Sequence, residues 1–299
     1  MTESEKLCGI VPVFKPEGWT SFDVIAKLRG ILHIRRLGHA GTLDPMATGV
    51  LPVFVGKATK ACDILPDTDK AYEAGFRLGT VTDTQDITGR VLSECGDAVS
   101  EEQVRKALEG FKGEIMQLPP MYSAVKVGGK RLYELARQGK EVEREPRKIT
   151  VYEAKLLDYS ETTREGRLFV SCSKGTYIRT VIHDLGAALG CGGAMTSLCR
   201  VAAAGFELED CFTMEQLSQM PPEEALRPLL NAFEGTARVR LNEKCTGLYQ
   251  NGVKLSSAQV GLGRSYDRQF CVLGSDGALL GIARIDSAND EVRAVRNFY

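Results

Sequence analysis

The 299-residue chain is poor in the patterns on which several common chemistries rest. Histidine is scarce: only His33, His39 and His183 occur, none in HExxH or another ligand spacing, so a metal centre is not expected. No uninterrupted apolar run approaches the roughly 18 residues of a membrane span, and MTESEKLCGI has no basic segment followed by an apolar stretch, so no secretory leader and no membrane partner are expected. Charge of one sign is missing too. Lys and Arg total 38 against 39 Asp and Glu, a formal net charge of −1, so attraction to an anionic polymer would have to come from local clusters. The nine cysteines include no CxxC pair, which argues against a disulfide framework and for reduced, buried thiols in the cytoplasm. Phosphate loops fail as well. GVLPVFVGKAT has Leu51 and Ala58 where GxxxxGK[ST] needs Gly and Ser or Thr, and LGAALGCGGA has Met195 where GxGxxG needs its third Gly.

What is present reads as a mixed α+β chain of about two domains, since 43% hydrophobic residues suffice for a core. Residues 20–32 carry Val24, Ile25, Leu28, Ile31 and Leu32 on one face behind Thr20 or Ser21 as cap, which predicts a helix. Tyr72, Ala74, Phe76 and Leu78 alternate with polar or small residues, a strand pattern. Ser100 with Gln103 forms a capping-box signature for a helix that Gly110 ends. A strand is expected at 168–173, then a helix from about Thr176 to Leu189. From about residue 236 the pattern changes to short β-like runs at 237–241, 269–273, 279–285 and 292–298, split by Gly- and Asp-containing turns. These predict a small β-barrel or sandwich, joined through a Pro-containing link at 221–235.

Two stretches break the neutrality. Val24 to Leu43 holds Lys27, Arg29, Arg35 and Arg36 and no acidic residue, while Lys126 to Lys148 holds eight basic residues and four acidic ones around Tyr133. Such segments suit a nucleic-acid backbone, and equally a solvated charged face. The most unusual string is Gly38-His39-Ala40-Gly41-Thr42-Leu43-Asp44-Pro45-Met46-Ala47-Thr48-Gly49. Its glycines and proline describe a tightly folded loop. Asp44 before Pro45 can be an ordinary turn starter, or a single carboxylate offered where backbone comes close to a ligand.

That string resembles the signature loop of the TruB-type tRNA pseudouridine-55 synthases. So, in order, do five further segments: the K-P-x-G region Phe14 to Ser21, Asp69-Lys70-Ala71-Tyr72, Pro119 to Lys126, Lys174-Gly175-Thr176-Tyr177-Ile178-Arg179, and Ser197-Leu198-Cys199-Arg200. Together they span residues 9–205. The carboxy-terminal part resembles the family's PUA-type RNA-binding domain only in size and β-character.

The resemblance implies a pseudouridine synthase catalytic domain of mixed or antiparallel sheet over residues 1–235, with an RNA-gripping insertion at about 119–148, and a PUA-like domain at 236–299. It implies isomerisation of a T-loop uridine of tRNA by a monomer that needs no cofactor and no metal. Asp44 would be the essential carboxylate. It could attack ribose C1′, attack base C6, or remove a ribose proton on a glycal route. Arg179 would be its guanidinium partner, against the plainer reading of a surface charge at a helix start. Tyr72 would stack on the flipped base, although its alternation equally suits a core tyrosine. Tyr177 would line the pocket, with a place in the final proton removal. His39 would fill the gap left by the flipped nucleotide, and Leu198 and Lys15 would be wall and support. An RNA-binding or RNA-folding module without catalysis is the alternative. A glycosidase-like enzyme would call for two carboxylates, and only Asp44 stands in a motif.

Overall fold

A computed structural model describes residues 7–66 and 69–299. Residues 1–6, part of the stretch read for a leader, lie outside the described residues. The elements run β1 (Gly9–Lys15), α1 (Ser21–Leu32), β2 (Leu37–His39), β3 (Ala47–Val55), β4 (Lys70–Leu78), β5 (Thr80–Thr82) and β6 (Val91–Glu94). There follow α2 (Glu101–Glu109), β7 (Gly113–Gln117), β8 (Lys126–Val127), β9 (Lys130–Arg131), α3 (Leu132–Ala136), β10 (Arg147–Ser160), β11 (Glu165–Cys172), α4 (Ile178–Ala188) and β12 (Gly193–Ala203). The chain ends with β13 (Phe206–Glu207), α5 (Met214–Gln219), α6 (Pro222–Ala225), β14 (Ala237–Arg240), α7 (Glu243–Gln250), β15 (Phe270–Leu273), β16 (Leu279–Asp286) and β17 (Glu291–Asn297). The fold is α+β, as expected.

Two compact units emerge, one of residues 7–45, 50–66 and 204–299, the other of residues 46–49 and 69–203. In the first, α1 starts at a full capping box. The Thr20 hydroxyl accepts from the Asp23 amide, and the Asp23 carboxylate accepts from the Thr20 amide. The apolar stripe of α1 then buries Val24, Ile25, Leu28 and Leu32 against Val11, Val13, Leu51, Val53 and Val55. At roughly 1.5–3 kcal/mol per buried aliphatic side chain, this stripe rather than helix propensity holds α1 in place.

A second core in the same unit gathers Val239, Leu241, Phe270, Val272, Leu280, Ile285 and Val292. The four runs read from the sequence after residue 236 are all strands, but they form one open sheet, β14–β15–β16–β17, rather than a barrel or sandwich. The pair β14–β15 is parallel. A parallel pair cannot be closed by a tight turn, and the crossover contains α7, which the turn-rich sequence did not reveal.

The second unit is built on an antiparallel sheet in the order β12–β4–β11–β10–β7, with Ala47, Thr48 and Gly49 pairing in parallel with Leu198, Cys199 and Arg200 of β12. The alternation of β4 holds: Tyr72, Ala74, Phe76 and Leu78 are buried and Arg77 is exposed. Helix α2 lies against β10 and α4 against β12. Strands β7 and β10 pair from Gln117 with Arg147 to Gly113 with Val151, so residues 118–146 leave and rejoin the sheet at adjacent positions. That excursion carries the β8–β9 hairpin and α3.

Two expectations shift. The string 38–49 is not all loop: Gly38 and His39 belong to β2 and pair with Phe54 and Val53, and β3 already begins at Ala47. The loop proper is 40–46. Helix α4 begins at Ile178, not Thr176, because the Thr176 hydroxyl turns back to the Ser173 carbonyl (2.9 Å) and Tyr177 stays extended as the cap residue.

Candidate active site

In the first unit the carboxylate-bearing loop is braced on both sides of Asp44. The buried Ser21 hydroxyl accepts from the Leu43 amide at 2.9 Å and donates to the Leu43 carbonyl at 3.3 Å. One hydroxyl can do both at once. On the other side, the Pro45 carbonyl accepts from the Gly18 amide at 2.8 Å and from Lys15 Nζ at 3.2 Å. Lys15 is fully buried, and its ammonium also reaches the Pro16 carbonyl at 2.9 Å. Burial of that charge is tolerable because carbonyl oxygens meet it. The K-P-x-G segment therefore holds the loop by main-chain and lysine bonds, and leaves Asp44 half-buried. His39, at the end of β2, lies edge-on to the Phe22 ring with centroids 5.8 Å apart.

In the second unit, Arg179 sits in the first turn of α4 with only 6% of its surface exposed, which removes the surface-charge reading. Its guanidinium donates to the Thr84 carbonyl at 3.1 Å and the Tyr122 carbonyl at 3.0 Å, and stands 3.6 Å from the equally buried Asp86 carboxylate. Asp86 is fixed in turn by the Thr84 hydroxyl and by the amide and hydroxyl of Thr88. One arginine thus ties the turn between β5 and β6 to the start of the 118–146 excursion. Tyr177 is held through its backbone by the buried Gln117 side chain, which accepts from its amide at 2.8 Å and donates to its carbonyl at 3.1 Å. Tyr72 and Leu198 are both buried on neighbouring strands, Leu198 beside Ala74 on one side and Ala47 on the other.

Lys15, His39 and Asp44 are therefore gathered around one loop of the first unit. Tyr72, Tyr177, Arg179 and Leu198 belong to the second, on β4, at the start of α4 and on β12. Among the described residues no group of three or more His, Cys, Asp or Glu is placed to hold a metal ion.

The model for the TruB family pseudouridylate synthase N-terminal domain matches residues 29–178, about half of the chain. The chain belongs to the TruB family. The model for the tRNA pseudouridylate synthase B C-terminal domain matches residues 179–236. A TruB relative from Clostridium tetani, a tRNA pseudouridine synthase B, is 42% identical over 253 residues, 84% of this chain and 87% of its own. Another of that name, from Heliobacterium modesticaldum, is 46% identical over 239 residues, 79% of this chain and 77% of its own. Among solved structures, a Cbf5-Nop10-Gar1 complex contains a chain matching 97% of this one and 85% of its own length, with a TM-score of 0.76 and 26% identity.

Four residues that hold these candidate side chains and loops in place were missed in the sequence. Ser21 carried a signal: Thr20 alone suffices as cap, which leaves the second hydroxyl of the Thr-Ser pair for another task. The run Thr82-Asp83-Thr84-Gln85-Asp86-Ile87-Thr88-Gly89 reads as turn residues, and nothing in its spacing connects Asp86 or Thr84 with Arg179. Gln117 ends an ordinary strand, and only its burial distinguishes it.

Proposed function

We propose that this chain isomerises uridine 55 in the T loop of tRNA to pseudouridine, with Asp44 as its catalytic carboxylate. Membership of the TruB family and curated relatives named tRNA pseudouridine synthase B support the reaction. The observation that carries the assignment of Asp44 is the bracing of its loop, which fixes the backbone at Leu43 and at Pro45 while leaving the carboxylate between them half-buried. Holding a reacting group in one geometry is a large part of what an enzyme contributes to rate.

In the reaction the N1–C1′ bond breaks, the base turns, a C5–C1′ bond forms, and C5 loses its proton while N1 gains one. Attack at C1′, attack at C6 and the glycal route all end in that exchange. On this reading His39, Tyr72, Tyr177, Arg179, Leu198 and Lys15 serve substrate binding. Arg179, fixed by Asp86 and two carbonyls, keeps one orientation and offers its guanidinium to the substrate. Residues 1–235 form the catalytic domain with its insertion at about 119–148, and residues 236–299 a PUA-like RNA-binding domain. The enzyme acts as a monomer in the cytoplasm, without a cofactor. Exposed cations of residues 27–36 and 126–148 contact phosphates and offset the cost of unstacking the target base.

The test is tritium release from a T-arm hairpin carrying uridine labelled at C5. Wild type releases tritium and Asp44→Asn binds the hairpin without release. Release by both proteins sinks the assignment of Asp44. Binding without release by the wild type favours an RNA-binding module instead.

A further inference from the structure

A lone exposed apolar side chain on a protein surface calls for no explanation, but Phe22 is distinguished by its surroundings. Its side chain is 72% exposed in the first turn of α1. Ser21, the residue before it, is buried and grips Leu43. The same helical turn therefore fixes the Asp44 loop with one residue and projects an aromatic ring with the next. That ring meets His39 edge to face, at 5.8 Å and an interplanar angle of 81°. An edge-to-face contact engages at most one face of the Phe22 ring, and the exposure of Phe22 leaves the other face open to solvent. Phe22 and His39 together make a two-ring corner where β2 ends and the Asp44 loop begins.

The charge along α1 and the turn after it points to the occupant of this corner. Lys27, Arg29, Arg35 and Arg36 are exposed on α1 and the turn after it. The one acidic residue of α1, Asp23, directs its carboxylate back to the Thr20 amide and hydroxyl at the helix start. An open aromatic face at one end of a helix whose length and following turn carry exposed cations fits an unpaired nucleobase with neighbouring backbone phosphates along that helix, because every base has a π-face and every nucleotide a negative charge.

From this geometry we infer that Phe22 is a substrate-binding residue, a stacking platform for an unpaired T-loop base other than the one that is isomerised. The inference rests on the proposed tRNA reaction and deepens it. Stacking is a property of flat π-systems, so leucine cannot replace it and tryptophan can.

The experiment compares wild type, Phe22→Ala, Phe22→Leu and Phe22→Trp by steady-state tritium release from the C5-labelled T-arm hairpin, with thermal melting of each protein as a control for folding. The alanine and leucine variants are expected to raise KM roughly ten-fold, with the loss in KM rather than kcat and with melting unchanged. The tryptophan variant is expected to keep the wild-type KM. A wild-type KM in Phe22→Ala, or in Phe22→Leu, overturns the inference while leaving the proposed reaction intact. Absence of release by the wild-type protein removes the proposed reaction and this platform with it.

Discussion

Ser21 shows how much one hydroxyl can settle. It satisfies both backbone groups of Leu43, and Leu43 is the residue before the carboxylate on which the proposed chemistry depends. Replacing it by alanine leaves a buried amide without this acceptor, a loss of about 1–3 kcal/mol. Ser21→Ala is therefore expected to lower the melting temperature by that equivalent. It is also expected to reduce kcat by roughly ten-fold or more, since small displacements of a reacting group are costly. Hairpin binding should persist. A variant with lowered stability but wild-type kcat would show that the bond serves folding alone. Arg179 makes the complementary point. Burial of an arginine requires partners for its fork of donors, and two carbonyls and the Asp86 carboxylate supply them.

Among the elements, β3 is tightly constrained. Gly49 has φ +101°, and a Cβ built on it would lie 2.2 Å from the Arg200 carbonyl oxygen and 2.8 Å from the Arg200 nitrogen. Both features exclude a side chain: the first by backbone strain, the second because the facing atoms are backbone of the paired strand β12 and cannot swing away. Gly49→Ala is expected to destabilise the protein by at least about 2 kcal/mol, read as a shift in the urea midpoint. An unchanged midpoint would mean that the β3–β12 pairing is looser than its register indicates. The helices show their constraints at their starts. Three start at capping boxes that the Ser/Thr-x-x-Asp/Gln spacing displays in the sequence, at Thr20, Ser100 and Thr213.

At the scale of the whole molecule, a net charge of −1 gives no general attraction to RNA, so affinity has to come from where the cations stand. Lys126 and Lys130 are exposed on the β8–β9 hairpin, inside the excursion that begins and ends at one paired position of β7 and β10. Each phosphate contact contributes roughly 0.7–0.9 to the slope of log Kd against log salt. The double variant Lys126→Gln with Lys130→Gln should therefore lower that slope by roughly 1.4–1.8 for the T-arm hairpin, with the protein's melting unaffected. An unaltered slope would place the hairpin lysines away from the RNA. Cysteine has no part in this balance. Cys172 and Cys271 are buried, and burial pushes both thiols up to about 11, so they serve packing. Cys8 is exposed and Cys62, Cys95, Cys199 and Cys211 are half-buried, so the expectation of buried thiols holds for Cys172, Cys191, Cys245 and Cys271.

The sequence by itself determined the local structure and the identity of the principal motif. Helix α1, strand β4, the capped helix α2 and the four late strands follow from periodicity and capping, because these are interactions between residues close in the chain. The loop around Asp44 was legible for the same reason: glycine, proline and aspartate write their backbone demands into a short string. Only the tertiary structure decided what meets that string and its companions. Ser21 on Leu43, Lys15 on Pro45, Asp86 and the Tyr122 carbonyl on Arg179, and Gln117 on Tyr177 all join residues distant in sequence. Hydrogen bonds of that kind follow from where buried donors and acceptors come to lie, and a donor's type in the sequence does not name its acceptor. The parallel pairing of β14 with β15 belongs with them, since strand direction is set by the crossover and not by the strand's own residues.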